Sequence, residues 1–297
     1  MHIVNKLYQI FLSEHTKRSF EKTILYIALI SFFIHLVLIY LNRFDMIGFL
    51  SASELIKNPI SAIYTPFSFI IIYEVYLLIY YLPKSFTIYI TKQYEIITLI
   101  VIRKLFKDLA ILELSADWFD IKGDLQFTYD ILTSIVLFYL IFQFQKQGSR
   151  IADKKTKLTP KVEQFINRKK MIAVLLVPLF FCMALATLFN WAADISLASN
   201  ELPSLERINN LFFDEFFTVL ILVDVILLLI SFFYTDQFHK IIRNSGFVVS
   251  TILIRLSFGA SGLVSTILIV TAVLFGVTII LIHNLYEKNI IAKKELS

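Results

Sequence analysis

The sequence predicts an all-α, polytopic integral membrane protein with eight transmembrane helices arranged as two parallel four-helix repeats. Three observations lead there. The chain of 297 residues is 58% hydrophobic and only 17% charged, with a mean hydropathy of +0.75, whereas soluble domains are about half apolar and about a quarter charged. Several runs approach the ~20 apolar residues that cross the hydrocarbon of a bilayer. And an ordered set of short motifs recurs between the two halves.

Taken in order, residues 1–21 are polar, and the run after them has the length of a full span with no small-residue cleavage site, so the first span, about 22–41, reads as retained and not as a secretory signal. Clear spans follow at about 64–82, 126–146, 171–192, 213–234 and 262–285. Two further stretches, 94–112 and about 242–258, are apolar but each carries arginine, so each could cross the membrane or lie in its surface as an amphipathic helix. The distribution of Lys and Arg decides between these readings, because short cytoplasmic loops collect them. With six spans and the N-terminus inside, the split is 14 inside and 14 outside; with eight spans it becomes 20 inside and 4 outside, four more lying within the membrane. Eight spans are therefore expected, with both termini cytoplasmic and, for such a multi-pass protein, the plasma membrane as its location.

The repeat sets the domain boundaries. "KTILYIALISFFIHLVLIYLN" (22–42) lies on "KMIAVLLVPLFFCMALATLFN" (170–190). "YEVYLLIYYL" lies on "VDVILLLISF", bringing Glu74 over Asp224, and "TLIVIR" lies on "STILIR", bringing Arg103 over Arg255. "VLF" at 136–138 matches "VLF" at 273–275, and order is kept throughout. Four spans per unit make both halves run the same way, a parallel repeat. Residues 1–146 are then the first repeat, 147–170 a basic cytoplasmic linker, and 171–297 the second repeat.

"FIIIYEVYLLIYYL" (69–82) holds a single carboxylate, Glu74, and a charge in lipid costs roughly 3 kcal/mol or more. Counting along the spans puts Glu74 ~12 Å above the cytoplasmic end of the second span and Arg103 ~13 Å up the third, at 1.5 Å per residue. Asp224 and Arg255 repeat this geometry. Arginine suits a carboxylate through its planar fork, so both pairs are expected to meet. They are either buried ion pairs that fix packing or parts of a polar pathway. The first half carries more polar residues, Lys104, Lys107 and Asp108 on its third span and Asp130 on its fourth. Glu74, Arg103, Lys107, Asp130 and His35 are therefore the candidates for transport or coupling, and Asp224 with Arg255 the structural pair. His35 also reads as a packing residue, His283 as an interfacial one, and Lys107, Asp108 and Asp130 as side chains snorkelling to the outer interface.

Other chemistries find little support. The single cysteine, Cys182, excludes an intramolecular disulfide and any multi-cysteine metal site. No phosphate-binding glycine loop, HExxH or cysteine–histidine cluster is present, so neither metal, cofactor nor enzymatic activity is expected. "GASG" (259–262) with His283 is similar to the serine motif of rhomboid proteases. Ser261 and His283 are 22 residues apart, however, ~33 Å along one helix, and a serine must lie within hydrogen-bond reach of its base. A turn using Gly259 and Gly262 is the simpler reading. Each half resembles a voltage-sensor domain in outline, but spans four and eight carry no arginine ladder. With only seven glycines, close glycine-mediated helix packing is not expected. The basic linker suits anionic lipid headgroups and not nucleic acid. The functional expectation is a channel or transporter for an ion or small solute; the alternative is a non-catalytic helical subunit or scaffold, in a homo-oligomer or a larger membrane complex.

Overall fold

A computed structural model describes residues 2–44, 59–111, 122–152, 160–197, 205–260 and 262–295. Among them there is no strand: the elements are α1 (His2–Phe11), α2 (Glu14–Arg43), a 3-10 turn (Pro59–Ile63), α3 (Tyr64–Tyr81), α4 (Phe86–Ile111), α5 (Lys122–Ala152), α6 (Pro160–Leu197), α7 (Leu205–Phe232), α8 (Phe238–Phe258) and α9 (Leu263–Glu295). Six helical segments among the described residues are long and apolar enough to cross a membrane: Ile3–Arg43, Leu125–Ser149, Pro160–Ala186, Glu215–Phe232, Phe238–Phe258 and Leu263–Ile290. The chain is thus helical and multi-pass in character. Of the two ambiguous stretches, α8 meets that standard and α4 does not.

Local chemistry explains the boundaries. Ser13 stands in extended backbone before α2 and its hydroxyl accepts from the Thr16 amide at 3.1 Å, which satisfies one of the orphan donors of a helix start. Pro83 follows the end of α3, and Ser85 opens α4 by accepting from Ile88 N at 3.3 Å. α4 therefore begins eight residues before the expected 94. Its first two turns are amphipathic: Phe86, Tyr89, Ile90, Gln93, Tyr94 and Ile97 are all buried, at the spacing of one helical face. α8 likewise starts at Phe238 and not at 242. α5 and α6 run on to Ala152 and from Pro160, so most of the 147–170 linker is helical. These ends are rich in Lys and Gln, which are good helix formers once the apolar run has stopped. Pro178 lies inside α6, an interruption that membrane helices tolerate.

The contacts divide the chain into two compact units that follow neither 1–146 nor 171–297. The first takes residues 1–80, 103–114 and 170–218. Here α2 turns most of its side chains outward, with Tyr26, Leu29, Ile30, Phe33 and Ile34 exposed and only Ile24, Ala28 and Ile39 buried. Such a continuous apolar face is what lipid covers. Aromatic pairs fill the interior, Phe180 on Phe216 at 4.7 Å and Phe67 stacked on Phe106 at 5.3 Å.

The second unit takes residues 81–102, 115–169 and 219–297. In it α9 packs against α8 and α5. Buried positions of α8 include Asn244, Ser250, Thr251 and Ser257, while Ile242, Val249 and Leu256 are exposed. Polar groups inside and aliphatic groups outside suit a helix surrounded by lipid. Scarce as glycine is, three of the seven sit at close contacts here, contrary to the expectation from composition. A Cβ on Gly276 would lie 1.9 Å from the Tyr94 hydroxyl oxygen, one on Gly246 2.8 Å from Ile279, and one on Gly148 2.9 Å from Thr87. Gly262 has φ +64, the left-handed conformation the expected turn requires; Gly259 caps α8 in ordinary right-handed geometry.

Candidate functional site

Three carboxylates are buried inside candidate spans or their neighbours, Glu74, Asp130 and Asp224, and they are treated differently. Glu74 on α3 is 3% exposed and accepts from Arg103 Nη2 on α4 at 3.0 Å. Both belong to the first unit. His35 on α2, also of this unit, meets the Thr65 hydroxyl. The side chains of Lys107 and Asp108 lie outside the described residues. Asp130, in the second unit, is buried and accepts from Gln126 Nε2 at 2.8 Å on its own helix, α5; it is not a side chain snorkelling into solvent.

Asp224 on α7 is not brought to Arg255. The structure surrounds its carboxylate with other groups of the second unit. Oδ2 accepts from Gln93 Nε2 of α4 at 3.1 Å and from Thr251 Oγ1 of α8 at a long 3.5 Å. The reason is register. Because α8 begins at Phe238, Thr251 is the residue beside Asp224, and Arg255 is four residues, ~6 Å, farther along the helix axis.

The remaining groups around Asp224 sharpen the contrast. Its Oδ1 and the Tyr89 hydroxyl of α4 are both buried, with no other hydrogen-bond partner, and the hydroxyl faces the carboxylate closely enough to act on it. Lys169 of α6 is the cation whose charge acts on Asp224. Only 1% exposed, it donates from Nζ to the carbonyl of Lys84, in the turn between α3 and α4, at 2.6 Å. Its ammonium also lies 4.7 Å from the centre of the Phe86 ring and 5.3 Å from that of Phe165, both within cation–π range. Lys169 is thus held in a buried aromatic pocket.

No family model matches this chain, and neither a curated protein nor a solved structure matches it. What the chain does must therefore be argued from its own residues.

Tyr89, Gln93, Lys169 and Thr251 were not singled out by the sequence. Residues 83–93 fall between two of the expected spans, and Lys169 falls in the expected 147–170 linker. The signal that could have found them is the helical spacing of Phe86, Tyr89, Ile90, Gln93 and Tyr94. His283 was expected at a solvated interface but is 2% exposed, between Arg243 Nη1 at 3.1 Å and the His239 carbonyl at 3.3 Å. Among the described residues no group of three or more His, Cys, Asp or Glu could hold a metal ion.

Proposed function

We propose that the chain is an eight-span protein of the plasma membrane, with both termini in the cytoplasm, that moves an ion or small solute across the bilayer through its second compact unit. The supporting observation is the Asp224 carboxylate, buried on an apolar helix with one oxygen bonded and the other unsatisfied. A carboxylate serving only as glue satisfies all its lone pairs, because leaving a buried acceptor unmade costs about 1–3 kcal/mol. Intramembrane ionisable groups commonly mark ion pathways and proton relays. Glu74 was the expected working acid. Its ion pair with Arg103 fits the structural role better, and Asp224 takes the other.

The two helices not counted among the six spans, α3, which is apolar but short, and α4, carry that pair. Their charges neutralise each other, which removes much of the objection to placing both in lipid. The four-plus-four repeat is retained within this proposal. Its motifs match in order, α2 to α6, α3 to α7, α4 to α8 and α5 to α9.

Purified protein in liposomes, with imposed ion and solute gradients, tests this reading. Flux is expected for the wild type and for Glu74→Gln where that variant folds, and is lost in Asp224→Asn. Absence of flux for every common ion would leave the scaffold reading, with Glu74–Arg103 as packing glue.

A further inference from the structure

We infer that Asp224 is a proton-binding site, loaded on Oδ1 against the Tyr89 hydroxyl and held opposite Lys169. The inference rests on the transport reading for its physiological use, but the binding itself does not depend on it.

The groups facing Asp224 come from three neighbouring helices: Tyr89 and Gln93 from α4, Lys169 from α6 and Thr251 from α8. Gln93 and Thr251 serve Oδ2 and leave Oδ1 to Tyr89. Thr251 Oγ1 also bonds the Val248 carbonyl at 2.9 Å, so it has little left to offer a ligand. The Tyr89 hydroxyl and Oδ1 are both fully buried and face each other, so a proton taken up there would lie between two oxygens shielded from water. A metal cation is poorly served, since cations of this kind gather about six or more oxygen ligands and the nearby ammonium of Lys169 opposes added positive charge. A proton needs one lone pair. Bound to Oδ1 it forms an O–H bond, turns the acceptor into a donor, and lets the Tyr89 oxygen accept; leaving, it restores the carboxylate and its attraction to Lys169. The same proton is taken up and given back, so nothing else is consumed.

Lys169 gives the site two states. With Asp224 ionised, its ammonium has an opposite charge in the same unit. With Asp224 protonated, the Lys84 carbonyl and the two rings remain to hold it. Loading the proton therefore weakens the hold of Asp224 on α6 and the α3–α4 turn, a place where protonation could be linked to movement.

The experiment is infrared difference spectroscopy of the full chain in lipid between alkaline and acid pH. We expect a carboxylic-acid carbonyl band that grows in acid, shifts when the protein is made with side-chain carbon-13 aspartate, and persists in Asp130→Asn and Glu74→Gln. It disappears in Asp224→Asn. Should that variant fail to fold, Asp224→Glu keeps a carboxyl group and abolishes the carbon-13 aspartate shift. Tyr89→Phe, which removes the hydrogen-bond partner, moves the band to higher frequency. A band insensitive to aspartate labelling, one unaltered by Tyr89→Phe, or one abolished by sodium at constant pH overturns the proton site. A correct band without proton-linked flux in liposomes overturns the transport reading and leaves the proton site standing.

Discussion

At the scale of single residues, Glu74 and Arg103 form a pair whose removal can be apportioned. Both are buried and the contact is 3.0 Å. Truncating one partner strands the other charge, at a cost of about 3–5 kcal/mol, while replacing both costs much less. Glu74→Gln, Arg103→Gln and the double variant, compared by thermal midpoint in detergent, should show a double loss well below the sum of the singles; additive losses would refute a direct pair. Gly276 offers a steric counterpart. The Tyr94 hydroxyl lies over it, 2.7 Å from Ser250 Oγ, which in turn donates to the Ala272 carbonyl at 2.6 Å. A methyl group at 276 would fall 1.9 Å from that hydroxyl, and overpacking of a close-packed interior costs typically about 1–3 kcal/mol. Gly276→Ala should lower the melting temperature, and adding Tyr94→Phe should recover part of the loss. Recovery stays partial because the ring carbon bearing the hydroxyl is itself 2.9 Å from the new methyl. Of these residues, Glu74 and Arg103 were legible in the sequence because a charge in an apolar run demands a partner. Gly276 was not, because a small residue in such a run says nothing of what crosses above it.

At the scale of elements, α1 and the start of α2 show what hydropathy alone leaves out. Residues 1–21 read as a polar lead, yet they form two helices joined at a bend capped by Ser13. Three tyrosines on one face of α3 reach this segment. Tyr73 donates to Glu21 at 2.8 Å, Tyr76 to the Phe11 carbonyl at 2.9 Å and Tyr80 to Glu14 at 2.6 Å. They are spaced as one helical stripe, i, i+3, i+7, while Glu74 meets α4. Each hydrogen bond contributes about 0.5–1.5 kcal/mol, so Tyr76→Phe with Tyr80→Phe should free α1 and leave the rest folded. Hydrogen exchange across residues 2–13 should rise by an order of magnitude or more, with α8 and α9 unchanged; protection that stays as in the wild type would show that other contacts hold the bend. The aromatic content was visible in the sequence, but the stripe acquires meaning only when its target is known. For α4 and α8 the apolar part was visible and the starting point was not. Their first turns bury one face and wet the other, and so lower the hydropathy that marks a span. That displaced start is also why Asp224 was paired with Arg255 and not with Gln93 and Thr251.

At the scale of the whole molecule, the proposed eight spans need α3 and α4 to cross the bilayer, and a contact within the second unit bears on this. If the N-terminus is cytoplasmic, α2 leads outward. The start of α6 then lies on the cytoplasmic side whether α3 and α4 both cross or neither does, since omitting the pair keeps the parity of every later helix. The two readings differ only in the turn between them. In that turn the Lys84 carbonyl accepts from Lys169 at the start of α6, and Phe86 stacks on Phe165 at 6.1 Å. Under the proposed eight spans this turn, packed on the N-terminal part of α6, is expected on the same side of the membrane as the start of that helix. Cysteine at position 84 should therefore react with an impermeant thiol reagent only after the cells are opened. The Lys84 side chain is exposed, and the hydrogen bond to Lys169 is made by the backbone carbonyl, so Lys84→Cys in a Cys182→Ser background keeps that contact. Lys161→Cys, on α6, should behave in the same way, whereas Ala260→Cys, in the turn between α8 and α9, should react in intact cells. Labelling of position 84 from outside, with 161 protected, would leave α3 and α4 on the outer surface and reduce the protein to six spans.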